Sequence, residues 1–249
     1  TFNGTGTTVL SGTNTYTGGT SVESGTLSLL GGTLGSGEVY VASGARLMGT
    51  GSIAGPVTVA GLFKPGNSPG YIAASANVVM TTGSVYQQDI AGTTQSTASS
   101  PVGATGYYSY LNITGGQFII NSATTLTPAL SNLFSAQESG YGSTPYTPMM
   151  GDRFRIVTAD GGISGRFANV TQPAELTPDT QFLPFYNMGN SNSIDLAVIP
   201  KSYVTTIAAN SGNQNAQSVG SALDKMVVAN QAGVSTSPQD QLLYAASTQ

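Results

Sequence analysis

Side chains able to do chemistry are scarce. Among 249 residues there is no His and no Cys, and only 11 acidic and 7 basic residues. A Ser-His-Asp or Cys-His nucleophile arrangement therefore cannot be assembled. Disulfides and zinc–thiolate sites are ruled out by the same count. Carboxylates alone hold transition metals poorly, so no metal and no cofactor is expected. Paired carboxylates remain the one catalytic option, for cleavage of glycosides or polyuronides. The closest acidic pair in sequence, Glu175 and Asp179, flanks Pro178 and reads as loop solubilisation. Asp152 with Arg153 and Arg155 could clamp an anionic sugar, but charge that blunts strand-edge pairing is the simpler role. The cluster Gly31-Gly32-Thr33-Leu34-Gly35-Ser36-Gly37 lacks the Lys and the following helix of a phosphate loop. No catalytic residue is predicted.

The elements that would position any site must come from Gly, Thr, Ser and Asn alternating with Val, Leu and Ile. Only 7% of the chain is charged, while 39% is hydrophobic and 33 residues are Gly. Helical proteins need charged solvent faces, and disordered chains have less apolar content. Many short strands joined by tight turns fit instead, and the fold class is all-β. A net charge of −4 argues against nucleic acid, which is bound by clustered cations. There is no signal peptide and no apolar run of about 18 residues, so the chain reads as an internal piece of a longer protein. The lack of Cys suits a chain that crosses to the outside of a cell without being locked.

A loose repeat fills Thr1 to Gly61. Thr20–Leu29 returns as Glu38–Leu47 and again as Val57–Phe63, each time with alternating apolar residues leading into a Gly. Gly25, Gly44 and Gly61 are 19 and 17 residues apart (44−25 and 61−44), and Gly83 adds a step of 22 (83−61). That spacing is long for a hairpin ladder and suits one coil of a solenoid, rising about 4.8 Å per coil. An antiparallel sandwich competes, but Asn-Gly or Asp-Gly turns are missing between the alternating runs of the N-terminal half. The one Asp-Gly, Asp160-Gly161, predicts a local hairpin between Phe154–Val157 and Ile163–Phe167.

Pro65, Gly66, Asn67, Ser68, Pro69 and Gly70 form a stiff double turn inside this pattern. The prolines fix φ and remove two donors, which predicts that no central ladder passes here. The glycines permit positive φ, and Asn67-Ser68 can bond their own backbone.

Leu10-Ser11-Gly12-Thr13-Asn14-Thr15-Tyr16-Thr17-Gly18-Gly19-Thr20, with Val22 and Ser24-Gly25-Thr26-Leu27, resembles the passenger-associated transport repeat of bacterial autotransporters. Phe63 to Gly70 resembles the proline–glycine corner that follows those repeats. The likeness covers roughly residues 9–210. It implies a right-handed parallel β-helix passenger of type V secretion, exported through the periplasm and through an outer-membrane β-barrel C-terminal to these residues. Residues 1–150 would then be the stem and 151–200 a capping, autochaperone region. Residues 201–249 would be a helical linker toward the barrel, partly ordered at most. The module would promote folding and secretion and display surface regions, adhesive or virulence-linked, with any protease or esterase lying upstream. The competing function is a carbohydrate-active β-helix enzyme.

Two loops, 91–110 and 134–150, interrupt the pattern. Tyr107, Tyr108 and Tyr110 in the first and Tyr141 and Tyr146 in the second could form a binding surface for a host protein or glycan, or for self-association; the alternative is that they pack on the solenoid wall. Downstream, Asp152-Arg153-Phe154-Arg155-Ile156-Val157 alternates, placing Phe154 and Ile156 inward and both arginines outward. Phe154, Ile156, Phe167, Phe182 and Phe185 are the expected core of the cap. Beyond Lys201, Ala216, Val219, Leu223, Met226 and Val227 recur at helical spacing, and Ser237-Pro238-Gln239-Asp240 looks like a helix start.

Overall fold

The computed structural model describes residues 1–130, 146–210 and 212–247. Its first half comprises β1 (Thr7–Leu10), β2 (Thr20–Val22), β3 (Thr26–Leu34), β4 (Val39–Val41), β5 (Arg46–Ile53), β6 (Val57–Val59), β7 (Leu62–Pro65), β8 (Tyr71–Ala74), β9 (Val78–Met80) and β10 (Val85–Asp89). A short pair follows, β11 (Thr94–Gln95) with β12 (Tyr107–Tyr108), and then β13 (Tyr110–Ile113), β14 (Phe118–Ile120) and β15 (Thr125–Ala129). The C-terminal part holds β16 (Arg153–Ala159), β17 (Ile163–Gly165), β18 (Asn169–Val170), β19 (Thr180–Tyr186) and β20 (Ser193–Pro200). Three helices close the chain: α1 (Tyr203–Ala209), α2 (Gln214–Gln231) and α3 (Ser237–Ala246).

The protein is β-rich, and its strands pair with strands one repeat away, in parallel. β2, β4, β6, β9, β14 and β17 form one all-parallel ladder. In it Val22, Val41, Val59, Met80 and Ile120 lie in one inward row. A second row runs Leu27, Leu47, Phe63, Tyr86 and Leu126. A third joins Leu34, Ile53, Ala74, Ile113 and Ala159. All fifteen of these side chains are buried in one core. This is what period-2 alternation repeated at one coil's length must give: each apolar residue stacks on its counterpart in the next coil.

The glycines punctuate the coils for a steric reason. At Gly25, φ is +70° and a Cβ would sit 2.2 Å from the Gly4 carbonyl oxygen of the preceding coil. Coil length then doubles without breaking register. Val85 pairs with Thr125, 40 residues on (125−85), because the predicted loop of residues 91–110 is inserted before β13. That loop is not bare: β11 and β12 pair within it.

The core becomes aromatic toward the C-terminal end. Tyr86 packs on Phe63, Phe118 and Phe167 at centroid distances of 6.0, 5.7 and 5.9 Å. Phe154 meets Phe182 at 6.2 Å. Here the topology changes: β16 pairs β13 in parallel but β20 antiparallel, and β20 pairs β19 antiparallel. The hairpin is therefore β19–β20. No hairpin forms at Asp160-Gly161, contrary to the sequence expectation, because β16 and β17 each find a parallel partner in the neighbouring coil.

β20 is buried along its whole length and β19 nearly so. Phe182, Ile194, Leu196 and Val198 face the main core. Leu183, Phe185, Ala197 and Ile199 face a second cluster with Tyr203, Leu223, Val227 and Leu243. Phe185 thus serves the helical layer, not the coil core. The expectation of a loose tail is overturned for the same reason: the outer face of β19–β20 gives the helices apolar surface to bury against. α2 buries Leu223 and Val227 as its spacing predicts, but Val219 is 58% exposed. α3 begins at the predicted place, with Thr236 rather than Ser237 as its cap in a Thr236–Gln239 capping box. No described helix is long and apolar enough to cross a membrane.

Candidate functional site

The predicted corner sets Lys64, Asn67 and Ser68 in the interior. Phe63 to Gly70 are all buried, so it is no surface turn. β7 pairs β5 and β10 on its two sides through Leu62 to Lys64, and both registers stop before Pro65, so no ladder passes through the two prolines, as expected. Pro65 stands at the last position of the strand, where its missing N–H costs nothing. Beyond it Gly66 exchanges backbone bonds with Gly49, N to O at 2.7 Å and 3.3 Å. Gly66 has φ +102°, and a Cβ there would lie 2.3 Å from the Gly70 nitrogen. Only glycine fits.

Asn67 does not bond its own turn. Its Nδ2 donates to the Leu29 carbonyl at 3.0 Å, and its Oδ1 accepts from Ser28 Oγ at 3.2 Å. Ser68 Oγ accepts from Lys64 Nζ at 2.8 Å. Lys64 Nζ lies 3.0 Å from Asp89 Oδ2, and Gln87 Nε2 donates to Asp89 Oδ1 at 2.9 Å. Gln88 Nε2 donates to the Ser109 carbonyl at 2.7 Å, and the Gly70 N–H reaches Ser109 Oγ at 3.3 Å. The network ties β3, β7 and β10 to the start of β13. Burial pushes the Asp89 carboxyl above its ordinary range, against the lowering influence of Lys64. The same burial, reinforced by Asp89, pushes the Tyr86 phenol well up.

A serine 2.8 Å from a lysine invites comparison with nucleophile–base pairs. Ser68 is 1% exposed, however, so no substrate carbonyl can reach it. Sequence reasoning found the corner and missed its ion pair. The available signal was a lysine between Phe63 and Pro65 and an aspartate ending an apolar alternation.

The tyrosines divide. Tyr108 is a core residue packed on Phe154 at 5.2 Å, not part of an open loop. Tyr107 is half-buried in β12. Tyr110 sits on β13, its ring 5.8 Å from Tyr71 and its hydroxyl 2.5 Å from Thr158 Oγ1. Thr158 also donates to Asn112 Oδ1 at 2.9 Å, and Asn112 Nδ2 donates to Tyr71 at 3.3 Å. Sequence analysis did not single out Tyr71 or Asn112, because nothing in one strand shows its neighbour in the next coil. Tyr146 donates to Asp152 Oδ2 at 2.7 Å and packs on Phe154 at 6.5 Å; burial pushes its phenol up. Tyr141 lies outside the described residues.

Phe154, Ile156, Phe167 and Phe182 all lie in the main core. Both arginines of β16 hold polar partners instead of blunting an edge. Arg155 makes a bidentate pair with Asp195 at 2.8 and 3.2 Å. The Arg153 guanidinium stacks 3.8 Å over the Tyr244 ring and donates to the Tyr244 carbonyl and to Ser247. Tyr244 donates to Asp195 at 2.7 Å, and Arg166 pairs with buried Asp240 at 2.8 Å. Together these contacts fix α3 to the strands.

No group of three or more acidic residues placed to hold a metal occurs among the described residues. Glu175 and Asp179 stay on the connection between β18 and β19.

The passenger-associated-transport-repeat family matches residues 2–29. The chain carries an autotransporter passenger repeat. It spans β1, β2 and the first part of β3, the opening coil of the parallel stack. A search of curated proteins found no match.

Proposed function

We propose that these residues are the C-terminal part of an autotransporter passenger, a right-handed parallel β-helix that acts as a stem. The repeat at residues 2–29 and the coil-over-coil parallel registers support this reading. The stem would be exported to a bacterial cell surface or beyond it, with an outer-membrane β-barrel of the same protein as its first partner. Residues 151–200 would act as an autochaperone cap, and the loops would display adhesive or virulence-linked surfaces to a host protein, a glycan or a second copy. No catalysis is assigned to these residues.

The carrying observation is how the stack ends. β16 presents its far edge to antiparallel β20, whose two faces are both covered. A bare parallel edge would template further strands and expose the core. An edge already closed by β16, β20 and β19 can instead template the coils before it, so folding would start there. Pulse-labelled hydrogen exchange during refolding tests this. Amides of β16, β19 and β20 should gain protection first; earlier protection of β3 to β6 would sink the cap's folding role.

A further inference from the structure

The three helices are not held alike. α1 and α2 are tied to each other, because Asp224 on α2 accepts from the Tyr203 N–H at 2.6 Å and from Ser202 Oγ at 2.9 Å. α2 also gives Leu223 and Val227 to the helix-facing cluster. α3 gives less. Of its ten residues only Asp240 and Leu243 are buried, and Leu242 is 54% exposed. The Tyr244 ring adds an edge contact with Phe185 at 5.1 Å.

The rest of the hold on α3 is polar and incomplete. Asp240 accepts from Arg166 and from Asn230, each at 2.8 Å, and Tyr244 donates to Asp195 at 2.7 Å beneath the Arg153 guanidinium. An ion pair with a partner as open as Arg166, 30% exposed, adds little. Docking also leaves donors unmatched. Arg153 Nε and Arg166 Nη1 are buried without a hydrogen-bond partner, and so is Ser235 Oγ in the connection that leads into α3. These are three of the six such side-chain atoms among the described residues, so half of that cost falls around one short helix. The connection itself is loose. Residues 232–234 are exposed, and Gly233 has φ +70°, with the Arg166 side chain 4.0 Å from where a Cβ would stand.

We propose that α3 is a strap hinged at Gly233, which opens from the β19–β20 layer as a unit while α1, α2 and the coils stay folded. Opening gives the two guanidinium groups and Ser235 to water. It bares Phe185, together with the turn at Met188 that α3 touches. The strap thus decides whether this part of the outer face of β19 is covered.

Native-state hydrogen exchange of the full chain tests this. The amides of α3 should exchange roughly 10- to 100-fold faster than those of α2, β19 and β20 after correction for intrinsic rates. Ile113→Val removes one methylene from the main core, which contains no α3 residue. It should speed exchange in β20 about two- to tenfold and leave α3 unchanged, because α3 opens without global unfolding. Tyr244→Phe keeps the ring on Phe185 and loses the bond to Asp195; it should speed exchange in α3 about three- to tenfold. The proposal is overturned if α3 exchanges no faster than β20, if Ile113→Val speeds both alike, or if Tyr244→Phe leaves α3 unchanged.

Discussion

Removing the Lys64 ammonium is the sharpest test of the buried network. In Lys64→Met the stem of the side chain survives and the charge does not. Asp89 is 0% exposed and would lose the cation 3.0 Å from its Oδ2, keeping the bond from Gln87. Breaking one side of a buried pair costs about 3–5 kcal/mol, because the remaining charge stays desolvated. Replacing both partners with apolar side chains is often neutral. Lys64→Met with Asp89→Leu should therefore unfold within about 1–2 kcal/mol of the parent. With each single substitution costing about 3–5 kcal/mol, the coupling between the two sites would then be at least about 4 kcal/mol.

Titration adds a second readout. Burial raises the folded pKa of Asp89 above its ordinary value of 3.8, so the folded chain holds this proton more tightly than the unfolded chain. Its contribution to stability is most favourable at low pH and is lost as pH rises from there through the folded pKa. Lys64 opposes that rise, so its removal moves the window further up. The Lys64→Met deficit should shrink on acidification from about pH 7 to about pH 4.5. Urea unfolding followed by far-UV circular dichroism at both pH values measures this. A deficit below about 1 kcal/mol, or one indifferent to pH, would refute the claim that Asp89 is buried in need of a counter-charge.

Gly66→Ala places a methyl where the Gly70 nitrogen lies, at a φ of +102°, and should cost about 2–4 kcal/mol in urea unfolding. Phe185→Ala empties the helix-facing cluster and should cost about 3–5 kcal/mol. Limited proteolysis of that variant should cut within residues 203–247 while leaving the strands up to β15 resistant. Asp240→Ala leaves Arg166 and Asn230 without their shared acceptor. Because the Arg166 side chain is 30% exposed, the cost should be only about 1–2 kcal/mol, with α3 amides exchanging faster.

What the sequence made legible was whatever repeats within one coil. Gly25, Gly44 and Gly61 mark corners, and alternation such as Val39-Tyr40-Val41 shows which side chains face in. Contacts between coils left weaker traces. Phe63 to Gly70 read as a stiff double turn whose Asn67 and Ser68 could bond their own backbone, yet Asn67 reaches back to Leu29 and Lys64 forward to Asp89. Asp160-Gly161 carried a hairpin signature that the stacking overrode, since each flanking strand had a partner ready in the adjacent coil. In β19, Phe182 to Phe185 read as one apolar run, and such a run does not say that its two faces serve different cores. The ordered helices follow from that second face.

A stack of like coils has a specificity problem that apolar rows do not solve. Val22, Val41 and Val59 occupy equivalent positions, so a slip of one whole coil would exchange valine for valine at little cost. Features that occur once must oppose the slip. The corner supplies them, because Asn67 needs the Ser28 hydroxyl and the Leu29 carbonyl, and Lys64 needs Asp89 on the neighbouring strand of the same sheet. A slipped coil would bury these groups without partners, a penalty far larger than a valine exchange. The double variant Lys64→Met with Asp89→Leu removes most of that penalty while keeping stability. It should fold into more than one register, seen as surplus amide cross-peaks for β4 and β6 in heteronuclear NMR. A single set of peaks as sharp as the parent's would show that the apolar rows and the long coil set the register unaided.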